Sequence, residues 1–209
     1  VRLREIQAAY GERVRVQWRA FPLIPDRQPG RRTTEKTRQG RIKVGGEEPR
    51  ARFSVPELDL ELPSSSVPGL TAAKCAERQG EDAFARFHER LFVAHFGENQ
   101  NIGRHDVLCA LAAESGLDVD RFRADYGDPE VYQAVLQDYA EGAGWFGVSA
   151  LPTVIFDEKL SLVGAVPADS YRSMIDWTLA GKPGGVISLA PGEVAMPGRS
   201  AVGSPEATS

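Results

Sequence analysis

Two cysteines among 209 residues are too few for a disulfide framework, and Cys75 and Cys109 stand too far apart for a CxxC redox or metal motif. Both fall in alanine-rich helical stretches, which suits small buried hydrophobes. A disulfide between them or a reactive thiol are the alternatives. No apolar run approaches the roughly 20 residues a spanning helix needs. The opening VRLREIQAAYGERV alternates charge with apolar residues where a secretory core would be continuous. A cytoplasmic protein without membrane partners is therefore expected. A net charge of −4 supplies no basic field for nucleic acid, so none is expected as a partner. No second ligand is read at i+3 or i+4 from His88, His95 or His105, so no metal site is expected. Ser64, Ser65 and Ser66 lack a GxSxG context and read as helix-capping residues. Residue 1 is valine where translation starts with methionine, which leads to the expectation that something upstream is missing.

What is present reads as one good core: 42% hydrophobic and 26% charged residues are an ordinary soluble balance. Val1, Leu3, Ile6, Ala9 and Tyr10 have helical spacing, and Gly11 fits the position just past a helix end. Arg13 to Phe21 alternates strictly, with Val14, Val16, Trp18 and Ala20 on one face, and reads as a strand stopped by Pro22 and Pro25. Residues 26–62 read as a long exposed loop, with nine Lys or Arg against four acidic residues from Asp26 to Phe53. From about 64 to 147 the pattern is helical. Expected helices are Val67 to Arg78 behind the serine cluster; Glu81 to Phe96 with Ala83, Phe84, Phe87, Leu91 and Ala94 inward; and Arg104 to Ser115 with Val107, Leu108, Leu111 and Ala112 inward. Asp118 caps a further short helix. Asp128 and Pro129 open the last, whose face is Tyr132, Val135, Leu136, Tyr139 and Ala143. Gly142 to Gly147 (GAGWFG) follows a helix and is no phosphate loop. Thr153 to Phe156 and Leu160 to Val166 form a hairpin across Asp157 to Lys159, and Ala168 to Leu179 closes the domain with Tyr171, Ile175 and Leu179 inward. Residues 182–209 read as a disordered tail. No internal repeat is visible.

The order helix, strand, helical block, strand, strand, helix, together with WRAFPL (Trp18 to Leu23), PSSSVPGLTAAKCA (Pro63 to Ala76), FHERLFVAHF (Phe87 to Phe96) and GVSALPT (Gly147 to Thr153), resembles the FrnE-like branch of the DsbA family. The 2-hydroxychromene-2-carboxylate isomerases are its relatives. The resemblance covers residues 1 to about 181, with 27–52 matching poorly. It implies an α/β thioredoxin-like fold with an all-helical insertion, the DsbA architecture, whose first strand is absent from this chain. It also implies that Pro152 is the family's cis-proline. Leu151 and Pro152, with Ala150, would then bind substrate by strand addition. The family's CxxC, whose thiolate is favoured at a helix N-terminus, would lie upstream of Val1, leaving no catalytic residue in this chain. Losing the central strand would orphan two rows of backbone groups at about 1 to 3 kcal/mol each if buried, so an N-terminally shortened chain is expected.

Three functions follow. The first is a thiol-disulfide oxidoreductase acting on protein or small-molecule thiols and disulfides, without a cofactor and inactive as this chain stands. The second is an isomerase in which a serine replaces the cysteine and glutathione is the cofactor. The third is a non-catalytic thioredoxin-fold binding module. The oxidoreductase is favoured by PSSSVPGLTAAKCAERQG. The sequence leaves the oligomeric state open.

Overall fold

A computed structural model describes residues 1–181; the expected disordered tail lies outside the described residues. The element order is α1 (Arg2–Tyr10), α2 (Glu35–Glu47), α3 (Val67–Glu77), α4 (Glu81–Phe92), α5 (His105–Glu114), α6 (Val119–Tyr126), α7 (Pro129–Ala140), β1 (Thr153–Phe156), β2 (Leu160–Val163) and α8 (Ala168–Leu179). Among the described residues the chain divides into two compact units. One runs over Gln17–Glu141; the other combines Arg2–Val16 with residues 142–181.

The first unit is helical and centred on α3. Its Ala72, Ala73, Cys75 and Ala76 are all fully buried, and such small side chains let neighbouring helices approach closely. α4, α5, α6 and α7 all pack against it. Phe87, Leu91, Leu108, Leu111, Phe122 and Val131 fill the core around it. Asp118 and Asp128 cap α6 and α7 by accepting from the N–H groups of Arg121 and Glu130, with Pro129 at the start of α7. The serines act differently from the expected cap. The Ser66 side chain makes no capping bond to α3 because its hydroxyl accepts from Ile24 N–H at 3.1 Å. Ser65 accepts from Val67 N–H at 3.1 Å and donates to the Ile24 carbonyl. The buried face of α7 is Val131, Val135 and Asp138, while Tyr132 is exposed. Both α4 and α7 run on into a π-helical turn, Val93–Gly97 and Glu141–Trp145.

The basic stretch is not a simple loop. Residues 31–33 and 59–62 pair as a short ribbon, with Thr33 N–H donating to the Leu60 carbonyl and Leu62 N–H to the Arg31 carbonyl. Helix α2 lies between them. It has no buried residue, so no apolar periodicity announced it. It starts on a reciprocal capping box between Thr34 and Thr37. Arginines fasten the excursion through neutral acceptors: Arg31 donates to the Pro63 carbonyl, and Arg41 to those of Phe96 and His95.

In the second unit β1 and β2 form an antiparallel hairpin with Thr153 opposite Val163 and Phe156 opposite Leu160. Asp157 and Glu158 both have positive φ, the conformation of a type I′ turn, and Lys159 N–H closes it onto the Phe156 carbonyl at 3.0 Å. α1 and α8 cover one face through Ile6, Phe156, Leu162, Tyr171, Met174 and Ile175. Leu179, expected inward, is 49% exposed, since Met174 takes a buried place on α8 instead.

The expected strand at 13–21 is absent: these residues carry no ladder. A strand is defined by its partner, and side chains take that place here. The Gln7 amide accepts from Val16 N–H and donates to the Val14 carbonyl, and Asp138 accepts from Ala20 N–H at 2.8 Å.

Asp138 is 6% exposed and also binds Lys74 Nζ at 2.8 Å and Arg19 at 3.3 Å. Removing one member of a buried pair strands the other. Asp138→Ala is expected to cost about 3 kcal/mol, read from urea unfolding followed by circular dichroism; a loss below about 1 kcal/mol would show the network to be dispensable.

Candidate functional site

The thiols occupy opposite environments. Cys75 lies fully buried in α3, and desolvation, with Asp125 adding to it, pushes its pKa up to about 12. It is inert as a nucleophile. Cys109 is half-buried, and its Sγ lies 3.8 and 3.7 Å from Nδ1 and Nε2 of His105. This i, i+4 pair corrects the expectation that no histidine has a ligand-type neighbour at that spacing; reading four residues on from His105 would have found it. Near-equal distances to both nitrogens place the sulfur against the ring rather than along one nitrogen's lone pair, so the pair is not arranged as nucleophile and base. Both cysteines are free. Among the described residues no group of three or more His, Cys, Asp or Glu could hold a metal ion. No helix there is long and apolar enough to cross a membrane.

The other histidines belong to an aromatic run along α4. Phe84 stacks on His88 at 4.8 Å, His88 meets Phe92 at 4.9 Å, and Phe92 stacks on Phe96 at 5.7 Å. Trp18 touches both Phe84 and His88. Lys74 lies over the Trp18 ring and Arg41 over that of Phe96, favourable cation–π placements. His95 borders a small pocket with Thr33, Arg41, Leu60, Asn99 and Gln100. Burial, and then the positive charge of Arg41, lowers its pKa to about 4.

The proline loop is built from exposed residues. Ala150, Leu151 and Pro152 are all solvent-facing, Leu151 at 41%, and the Leu151–Pro152 peptide is cis. Thr153 Oγ1 donates to the Ala150 carbonyl at 2.7 Å, and Gly164 N–H donates to the Pro152 carbonyl at 2.7 Å. That second bond sets the alternation of the hairpin. In an antiparallel pair only every second residue turns its backbone groups to its partner. With Pro152 opposite Gly164, Val154 and Phe156 face β2. Thr153 and Ile155 therefore present their N–H and C=O groups to the other edge. Leu151, immediately before the cis peptide, has backbone groups that make no hydrogen bond among the described residues.

The sequence profile of the DSBA-like thioredoxin domain matches residues 1–176. The chain belongs to the DsbA-like thioredoxin family. Its fold is the α/β thioredoxin fold with a helical insertion. Two solved structures share it: a candidate protein disulfide isomerase from Nitrosomonas europaea, at TM-score 0.69 and 16% identity over 87% of this chain and 90% of that one, and the cytosolic disulfide reductase DsbM from Pseudomonas aeruginosa, at TM-score 0.63 and 17% identity over 87% and 91%. Among curated relatives, the ClpXP adapter protein SpxH of Halalkalibacterium halodurans is 27% identical over 198 residues, 87% of this chain and 62% of the adapter. SpxH of Shouchella clausii is 34% identical over 111 residues, 50% of this chain and 37% of the adapter. The chain thus spans less than two thirds of both adapters.

Two outcomes test these environments. Iodoacetamide is expected to label Cys109 in the folded protein and to reach Cys75 only in denaturant; equal labelling of both would refute the burial of Cys75. Between pH 6.5 and 5 the unfolded chain binds a proton at residue 95 that the folded chain, with its pKa near 4, does not, so stability falls as pH falls. The urea midpoint of His95→Gln is expected to fall less over that window than that of the parent; matching slopes would remove His95 as the cause.

Proposed function

We propose that this domain binds extended polypeptide at the proline loop, Ala150 to Pro152, presenting partner proteins in the manner of an adapter. The observation that carries the reading is the cis Leu151–Pro152 peptide in a solvent-facing loop, with the Leu151 backbone groups unbonded among the described residues. An extended chain can pair with those groups by strand addition. The curated SpxH relatives are adapters by name, which favours protein partners. No nucleic acid, membrane or cofactor enters this reading, and the domain works in the cytoplasm, as its DsbM neighbour does by name.

A second reading keeps the chemistry of the named structural neighbours: a thiol-disulfide oxidoreductase that holds thiol- or disulfide-bearing substrates at this same loop. Disulfide exchange through a low-pKa pair requires two neighbouring cysteines. Cys75 is buried and Cys109 stands alone, so this chain by itself is expected to be inactive in that reaction. The glutathione-dependent isomerase has no observation in its favour among the described residues.

Hydrogen exchange of the individual amides separates the loop from the hairpin. With reduced, carboxymethylated α-lactalbumin as an unfolded polypeptide, the amide of Leu151 is expected to slow on mixing, while those of Val154 and Phe156, already bonded within the hairpin, stay unchanged. Uniform behaviour of all three would end the strand-addition reading.

A further inference from the structure

Polar groups and aromatic rings fasten the excursion at 31–62 to the turn that follows α4. Arg41 of α2 donates to the carbonyls of Phe96 and His95 and lies 4.4 Å from the centre of the Phe96 ring. Phe53 meets the same ring at 5.6 Å, and Ser54 N–H donates to the Phe96 carbonyl at 2.9 Å. Helix α2 itself has no buried residue. His95 stands at this seam, bordering a pocket whose other side is Thr33, Arg41, Pro56, Leu60 and Leu62, all from the excursion.

The seam has no place for a charged imidazole. His95 Nδ1 is buried without a hydrogen-bond partner, so a proton there would have no acceptor. Asn99 borders the same pocket, but its Oδ1 is also buried and unpaired, so the two atoms do not bond to each other. Burial comes first in excluding the proton, followed by the charge of Arg41; the Gln100 backbone favours the charged ring by hydrogen bonding, and Arg31 of the ribbon opposes it again. The acidic residues of the ribbon and its approach, Glu57, Asp59 and Glu61, do not border the pocket. Glu98, just beyond the turn, is engaged by Arg90, and Glu35 of α2 lies with Arg38.

We infer that residues 31–62 form a strap whose hold on the helical unit is loosened by protonation of His95, so that acidification uncovers the Phe96 end of the aromatic run. Release takes Arg41, Thr33 and Leu60 away from the ring and returns it to water, where histidine titrates near its ordinary pKa of about 6.5. In the docked form it titrates at about 4. The docked form is the one that excludes the proton. Its advantage is fully present above pH 6.5 and declines as pH falls toward 4. These two values make the ratio of docked to released strap about tenfold lower at pH 5.5 than at pH 7.5, a window above the ordinary titration of carboxylates.

The test is amide hydrogen exchange of the whole chain, followed residue by residue by NMR at pH 7.5 and 5.5 and corrected for the intrinsic rate at each pH. Ser54 reports the seam directly. Arg38 and Glu48, bonded to the Thr34 and Val44 carbonyls, report α2, which at 13 residues is too short to persist once released. All three are expected to be less protected than Leu108 and Ser115 of the helical core, because release is a local opening. Their protection is expected to fall about tenfold at the lower pH, and in His95→Gln to be the same at both. Should that variant not fold, the NMR titration of the His95 ring in the parent decides: the ring is expected to stay neutral down to pH 5.5. Equal protection of strap and core would show that the strap does not leave by itself and overturn the inference. So would pH-independent protection in the parent, a fall retained in His95→Gln, or a ring that titrates above pH 6.

Discussion

A single buried carboxylate organises the helical unit. Asp138 on α7 receives the Lys74 ammonium from α3, the Arg19 guanidinium and the Ala20 backbone N–H. Lys74 in turn meets Glu77 at 2.9 Å and lies over Trp18. Charges removed from water are costly unless fully paired, and here the pairing draws two helices and one extended segment to the same point. The small-residue face of α3 can pack closely on its neighbours because the one long cation on that helix has its partner fixed. The aromatic run from Trp18 to Phe96 then follows from the spacing of four along α4 and its continuing turn.

The hairpin unit has the opposite character. Its hydrophobic face is closed by α1 and α8, and Arg2 on α1 reaches the carbonyls of Ala165 and Val166 at 2.7 Å, while Tyr10 meets Asp176 at 2.8 Å. The unit is well fastened on that side, while the loop leading into β1 stands exposed and ends in the cis Leu151–Pro152 peptide.

Much of this was legible in the sequence where a local rule had a local cause. Asp118 and the Asp128–Pro129 pair declared two helix starts because a cap needs only its own side chain and the next turn. The hairpin and α8 were legible from periodicity and turn residues. The string GVSALPT pointed to Leu151 and Pro152 through family likeness, a route that periodicity could not supply. Legibility failed where the cause was distant. Val14 to Ala20 alternates like a strand, yet its backbone partners are the side chains of Gln7 and Asp138. Helix α2 has no core side, its Ile42 and Val44 being exposed, so its only signal was the Thr34 and Thr37 cap. The hydroxyl of Ser66 was drawn away by Ile24, more than 40 residues earlier in the chain.

The manner in which the basic excursion is fastened has an electrical consequence. Arg31 and Arg41 are held by neutral carbonyls, so docking consumes hydrogen-bond capacity without cancelling charge. From Asp26 to Phe53 nine basic residues face four acidic ones, a net of +5 in a chain whose total is −4, which leaves a net of −9 on the remainder. A charged body within the Debye length of about 8 Å at physiological salt therefore meets on this stretch a charge of the sign opposite to the total.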